Sequence, residues 1–407
     1  MKKDVFMPAD ILIPEGISHE KWCVVACDQF SSEREYWDRV SAKVGNEPST
    51  LNMIIPEAYL EDFDESEGIE KISAAMEDYF GRGLFREIKD SFVYVERTQS
   101  DGHVRRGLVG AVDLEKYDFS NSNEASILAT EGTVLDRLPV RIRVRRKAKL
   151  EMPHIMAFID DKDGTVIEPL TKKAGSLPVL YDFDLMEGGG HLKGMLVQGD
   201  EAGIVVSAIR ALHDKSRILM VIGDGNHSLA AAKVYWDELK KSLSAAERET
   251  HPARMALVEV NNVYESAIEF EAIHRVVFDA DPADFISAFE KAMPKGSDFE
   301  FEWIYRGKSG ITGVRAESIG EALTIMQEFV DDYVKNTGCR IDYIHGEETA
   351  RRFTEGDNCA GLILPAMGKE GLFETVIAGG VFPKKSFSVG SARDKRYYFE
   401  CRAIKND

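Results

Sequence analysis

Asp224, Gly225, Asn226, His227 and Ser228 stand in a row where an apolar, β-branched run, 218–222, gives way to a helical pattern. The run suits a strand buried on both faces. Gly223 and Gly225 permit positive φ and let a ligand come close to the backbone. Beyond them Leu229, Ala232, Trp236 and Leu239 recur at helical spacing, while Lys233, Asp237, Lys240 and Lys241 take the other side. The first turn of such a helix carries the positive end of the dipole, so an anion is stabilised there without a cationic side chain. Asp224, just before it, could hold a metal or accept a proton. The residues alone leave a plainer alternative open, in which Asp224 or Asn226 only caps the helix and His227 packs in the core.

The elements that must position this turn are interleaved. Helical patterns occupy 33–43, 68–80, 201–212, 227–243, 282–292, 319–335 and 347–354. Apolar or alternating strands lie near 92–98, 104–113, 155–160, 218–222, 253–261, 299–305, 311–314, 340–344, 360–364 and 396–401. This order predicts an α/β fold with a mixed sheet. We expect a main α/β domain over 1–278, a smaller α/β lobe over 279–350, and a C-terminal segment, 351–407, that returns to the main domain with a basic loop. The three-glycine stretch Gly188-Gly189-Gly190 within 180–194 is either a loop that closes over substrate or a long hairpin turn.

With 407 residues, 44% of them apolar and 30% charged, the chain has an ordinary globular composition. The formal net charge of −19 opposes general nucleic-acid affinity, which requires a broad basic surface. No run approaches the roughly 20 apolar residues that span a bilayer, and the N-terminus lacks a signal-peptide core. We therefore expect a cytoplasmic enzyme with no nucleic-acid or membrane partner. Five cysteines without a CxxC pair point to neither disulfides nor a structural zinc site.

Two basic clusters interrupt this acidic chain. Lys384, Lys385, Arg393, Lys395 and Arg396 fall within thirteen residues, and Ser386, Ser388 and Gly390 add hydroxyls and a flexible point suited to phosphate oxygens. The alternative is a solvated basic turn. In the second cluster Val140, Ile142 and Val144 alternate with Arg141, Arg143 and Arg145, which places the arginines on one face of a strand. That face lines an anion site or is solvated and salt-bridged. A local basic pocket in an acidic protein favours a small anionic metabolite as ligand. At the N-terminal end, Asp28 and Gln29 close another apolar run before a helix, where Ser31 or Ser32 could equally act as a cap. His274 sits in an apolar stretch, and His154 has no partner identifiable from sequence.

Asp224-Gly225-Asn226-His227-Ser228 resembles the Asp-Gly-His-His-Arg motif of the family known as domain of unknown function 1015, itself similar to the ParB/sulfiredoxin superfamily. WCVVACDQ (22–29), Glu131-Gly132-Thr133 to Arg137, EAIHRV (271–276), YIHG (343–346) and GVFPKKSFSVGSARDKRYYFE (380–400) match that family in the same order. The resemblance implies a ParB/sulfiredoxin-like core and singles out Glu131, Arg137, His274, Asp28 and Gln29 alongside the central motif. The superfamily's free-serine kinases phosphorylate L-serine from ADP, ATP or pyrophosphate and use the Asp-Gly-His-His-Arg region for phosphate and hydroxyl handling. The chain departs from the motif at Asn226 and Ser228. Loss of the motif's Arg removes a bidentate phosphate clamp, so another cation must replace it or the donor differs.

The expectation is a phosphotransferase acting on a small hydroxylated metabolite, with free L-serine the foremost acceptor and pyrophosphate, ADP or ATP the donor. Asp224, His227 and Glu131 are the catalytic candidates, with Asp224 also the candidate ligand for Mg²⁺. Gly225, Asn226, Ser228, Lys384, Lys385, Ser386, Ser388, Arg393, Lys395, Arg137, Asp28, Gln29 and His274 are candidates to bind phosphate or substrate. Two alternatives remain at this point, a non-catalytic sensor of a phosphorylated metabolite and, third, a ParB-like nucleotide-dependent DNA-binding protein.

Overall fold

The computed structural model describes residues 4–62, 64–120, 125–132, 138–152, 154–378 and 380–405. It divides into two compact units. The first comprises Met1–Ala129, Thr133–Ile268 and Ser391–Asp407, and the second Thr130–Gly132 with Glu269–Gly390. The second unit thus begins ten residues before the expected 278/279 boundary and runs past 350. The reason is the strand Phe270–Phe278, which pairs with Arg340–His345, Cys359–Ile363 and Phe387–Val389, all of the second unit.

The first unit is built on a mixed sheet. Its order is Tyr117–Asp118, Ile127–Ala129, Met220–Asp224, Met156–Ile159, Met255–Asn262, Val104–Asp113, Phe85–Thr98, Gly190–Gln198 and Val179–Leu185. Phe6–Met7 pairs beside Val104–Asp113, and Ala9–Pro14 beside Phe85–Thr98. Met220–Asp224 runs parallel to Ile127–Ala129 and antiparallel to Met156–Ile159.

Alternation along the central strands feeds two cores, because successive side chains point to opposite faces. Phe92, Tyr94, Leu108, Val258 and Val260 meet Leu229, Ala232 and Trp236 of the helix Asn226–Leu239 and Val205 and Ile209 of the helix Asp200–Lys215. On the other face Val93, Val95, Val109 and Leu257 meet Trp37 and Val40 of the helix Arg34–Val44 and Ile72 and Met76 of the helix Glu65–Gly81. The latter helix starts where the Asp64 side chain accepts from the Glu67 amide at 2.9 Å.

Two sequence expectations need correction, and one alternative is decided. The alternating arginines lie on a helix, Leu138–Lys147. Its cations find carboxylates on both flanks: Arg143 pairs with Glu65 and Lys147 with Glu70 of one helix, and Arg146 with Glu238 of another at 2.5 Å. Packing of Leu138 and Ile142 on Ala230, Ala231 and Val234 favours the same conformation, so tertiary contacts outweigh a period-two pattern only six residues long. The segment 396–401 is buried but enters no long strand; it makes isolated bridges, Val25 to Tyr397 and Leu12 to Cys401, before the short strand Arg402–Ala403. The three-glycine stretch is the turn of a hairpin between Val179–Leu185 and Gly190–Gln198.

The second unit has its own sheet, ordered Lys308–Val314, Lys295–Tyr305, Cys359–Ile363, Phe270–Phe278 and Arg340–His345. The helices Pro282–Ala292 and Ile319–Thr337 pack through Phe285, Phe289 and Phe329.

Candidate active site

Met220, Val221 and Ile222 are fully buried, and the strand ends at Asp224 with a register shift against Met156–Ile159. The two glycines of the turn are required for different reasons. A Cβ at residue 223 would stand 1.9 Å from Phe158 Cε2, whereas Gly225 has φ +79° and lies against Ile155. With Gly225 as its N-cap, the helix Asn226–Leu239 begins at once. Asp224 Oδ1 accepts from the Gly225 amide at 3.0 Å, and Asn226 Nδ2 donates to the Ile222 carbonyl at 3.4 Å. Asp224 Oδ2 is buried without a hydrogen-bond partner, and the Lys395 ammonium lies 3.5 Å from it.

Lys395 is held by its neighbours along the chain. Arg97 Nη2 donates to the Arg393 carbonyl at 2.9 Å, and Arg105 Nη1 donates to the Asp394 carbonyl at 2.6 Å. Asp394 in turn accepts from the Ser100 amide at 2.7 Å. One residue further, the buried Arg396 pairs with Glu259 and, at 2.6 Å, with Glu400. The segment is therefore clamped to the strands Phe85–Thr98, Val104–Asp113 and Met255–Asn262, and Lys395 is presented to Asp224 from a rigid backbone.

Asp28 joins the same group. Burial alone would raise its carboxyl, but His154, the Gln29 side chain, Lys395 and Arg141 outweigh that and hold it below the ordinary carboxylate value. Gln29 Nε2 donates to Asp28 Oδ1 at 3.0 Å, and His154 Nε2 is 3.8 Å from Oδ2. Tyr398 Oη accepts from the Cys27 amide at 3.2 Å and lies 2.9 Å from His154 Nδ1. The Cys27 thiol, pushed up to about 12 by burial, stays protonated.

The first unit thus assembles Asp28, Gln29, Asp224, Gly225, Asn226, His227, Ser228 and Lys395 from the sequence candidates, and adds His154, Tyr398 and Arg141, which sequence reasoning did not assign to it. Arg393 belongs to the same unit, but its guanidinium lies toward the 186–189 turn, where a Cβ on Gly188 would be 3.5 Å from it. Arg137 falls outside the described residues.

Glu131, His274, Lys384, Lys385, Ser386 and Ser388 lie in the second unit. There Arg275 is buried over the Tyr343 ring at 4.6 Å and donates to the carbonyl of Lys385 at 2.8 Å. The ammonium groups of Lys384 and Lys385 lie 6.0 and 5.1 Å from the same ring. Ser386 and Ser388 donate to the carbonyls of Pro383 and Gly390 at 2.7 and 3.0 Å. His274 Nδ1 accepts from the Leu364 amide at 3.2 Å, and burial lowers its proton affinity.

Among the described residues no cluster of three or more His, Cys, Asp or Glu is arranged to hold a metal ion. The unbonded Asp224 oxygen nevertheless suits Mg²⁺, which takes one or two carboxylates and completes its shell with water and phosphate oxygens. No helix among the described residues is long and apolar enough to cross a membrane.

The chain is similar to several solved structures. A free serine kinase in complex with AMP is 14% identical over 72% of this chain and 90% of its own, with a TM-score of 0.39. SbnI with a C-terminal truncation, from Staphylococcus aureus, is 10% identical over 70% of this chain and 83% of its own, with a TM-score of 0.36. A conserved hypothetical protein from Pyrococcus furiosus is 14% identical over 72% of this chain and 94% of its own, with a TM-score of 0.35. No curated protein matches the sequence. A family model described as "Protein of unknown function (DUF1015)" matches residues 14–352, and the chain is a member of that family.

Proposed function

We propose that the protein is a phosphotransferase that moves a phosphoryl group from pyrophosphate, ADP or ATP to the hydroxyl of a small metabolite, with L-serine the first acceptor to test. The observation that carries this reading is the Lys395 ammonium, 3.5 Å from Asp224 where the helix Asn226–Leu239 begins. It supplies the cation that the motif lacks at Ser228. Phosphoryl transfer asks for alignment and charge stabilisation more than covalent chemistry, and a fixed ammonium with a helix dipole provides both.

In this reading the acceptor oxygen attacks the terminal phosphorus, the bond from phosphorus to the leaving phosphate oxygen breaks, and Asp224 takes the hydroxyl proton. Lys395 and the start of the site helix offset the charge on the transferred group. Asp28, kept ionised by its neighbours, is the second carboxylate within reach of Lys395 and orients the acceptor. Mg²⁺, when bound at Asp224, would neutralise donor charge. The ligand class is a small anionic metabolite, and the acidic chain disfavours nucleic acid.

The test is phosphoserine formation by purified protein with L-serine and Mg²⁺, with pyrophosphate, ADP and ATP in separate reactions and Asp224→Ala as control. Turnover with one donor, lost in the variant, supports the assignment. Tight binding of phosphoserine without turnover from any donor would replace it with a sensor role.

A further inference from the structure

A cavity of about 420 Å³ opens within the first unit at Cys27, the residue before Asp28. Ser228 and Ala231 of the site helix line it, as do His154 and Tyr398. Most of the remaining wall is aliphatic or thioether, including Met53, Ile72, Met76, Val144, Leu150 and Met152. Free serine, small and polar throughout, leaves such a wall unused.

The charged groups in the wall are already matched. Arg141 pairs with Glu57 at 2.6 Å and Arg145 with Glu151 at 2.6 Å. Each guanidinium of the lining already faces a carboxylate, although Glu151 is shared with Arg402 at 2.7 Å, so the unengaged part of the wall is aliphatic. Tyr398 and His154 are bound to each other. The aromatic rings of the lining, His154 and Tyr398, stand edge to face against each other at 5.3 Å, and three methionines give the aliphatic wall an adaptable surface. The volume lies in the range of ordinary small-molecule pockets.

We propose that this cavity binds an uncharged aliphatic tail of the substrate, whose hydroxyl head lies at Ser228 beside Asp28 and Asp224. The identity of the head rests on the phosphotransferase reading, whereas the tail site rests on the cavity alone. The preferred acceptor is then a hydroxylated metabolite with an aliphatic chain of several carbons. Leu60, an exposed apolar side chain in the cavity wall, fits a tail that is only partly enclosed at that point.

The test uses the full chain and a series of 1,2-alkanediols from propanediol to octanediol, with dissociation constants measured by calorimetry. Each methylene buried should lower the constant about fourfold, the equivalent of ~0.8 kcal/mol. Val144→Phe, which fills the cavity, should remove the dependence on length, and Met76→Ala, which enlarges it, should extend the dependence to longer diols. Constants that stay flat along the series, or a slope identical in the parent and both variants, overturn the proposal. Phosphorylation of L-serine combined with a flat diol series sinks the tail site and spares the reaction. A steep series without turnover of any acceptor does the reverse.

Discussion

The Lys395 ammonium lies 3.5 Å from the unbonded Oδ2 of Asp224, with only 10% and 15% of the two side chains exposed. Each charge is thereby the other's main compensation in a water-poor setting, and an arriving phosphate competes for the lysine. Lys395→Met should reduce phosphotransfer by about 10²- to 10³-fold, the usual loss when one preorganised charge is removed. Asp224→Asn should reduce it similarly. Initial rates read beside melting temperatures separate this from unfolding; retention of more than a third of the parent rate by a folded Lys395→Met enzyme would refute the role given to the lysine.

Glu259 is the buried hinge of the clamp on the C-terminal segment, since it faces both Arg396 and Arg105. Glu259→Gln leaves the buried Arg105 without its carboxylate and Arg396 with Glu400 alone, and should cost about 3–5 kcal/mol in urea unfolding. Burial raises this carboxyl, but Arg396 and Arg105 prevail and hold it below its ordinary value. A depressed folded-state pKa gives stability that is complete above the unfolded value and disappears as pH falls through the folded one. The parent should therefore lose stability below about pH 4.5 more steeply than Glu259→Gln does.

His191 responds in the opposite direction. Burial lowers its pKa, but the hydrogen bonds that its ring donates to Asp184 at 2.7 Å and Asp182 at 2.6 Å overcome that and raise it. The stability gained from this pairing is complete below the unfolded value of 6.5 and fades as pH rises through the higher folded value. Because the cluster is partly exposed, the effect is small. Melting temperatures between pH 6 and pH 8.5 should fall more for the parent than for His191→Gln, and parallel curves would contradict the pairing.

The turn glycines should rank in a fixed order. Gly225→Ala forces a Cβ residue to φ +79° at an expected cost of about 1–2 kcal/mol. Gly223→Ala must displace the buried Phe158 ring, with the new atom built 1.9 Å from it, and should cost more. Equal denaturation midpoints for the two variants would show that the ring moves freely.

Much of this frame was legible in the chain. Val104–Asp113 and Pro282–Ala292 occur with the bounds their patterns indicate, because alternation in one and an Asp-Pro start in the other are local signals. The strand before Asp224 and the helix after it were equally plain. The arginine helix was misread as a strand because its acidic partners lie on other helices and leave no trace within 140–145. His154 was opaque for a similar reason: its partner Tyr398 is 244 positions away. Asp28 could be seen as a polar group closing an apolar run, but its proximity to Lys395 depends on a pairing of distant segments that no local pattern encodes. The division into units was hidden in the same way, since Phe270–Phe278 looks alike whichever sheet it joins.

The contact between Cys27 and Tyr398 closes a loop of 371 positions, which gives the protein a biosynthetic calendar. While the ribosome is still adding residues 269–390, Asp28 and Asp224 already exist but Lys395 and Tyr398 do not. The nascent chain therefore passes through a long interval in which its first unit lacks both the ammonium that faces Asp224 and the segment that pairs with Leu12 and Val25. The candidate site can be complete only after the second unit has been synthesised in full, so assembly order itself withholds it from a half-made chain.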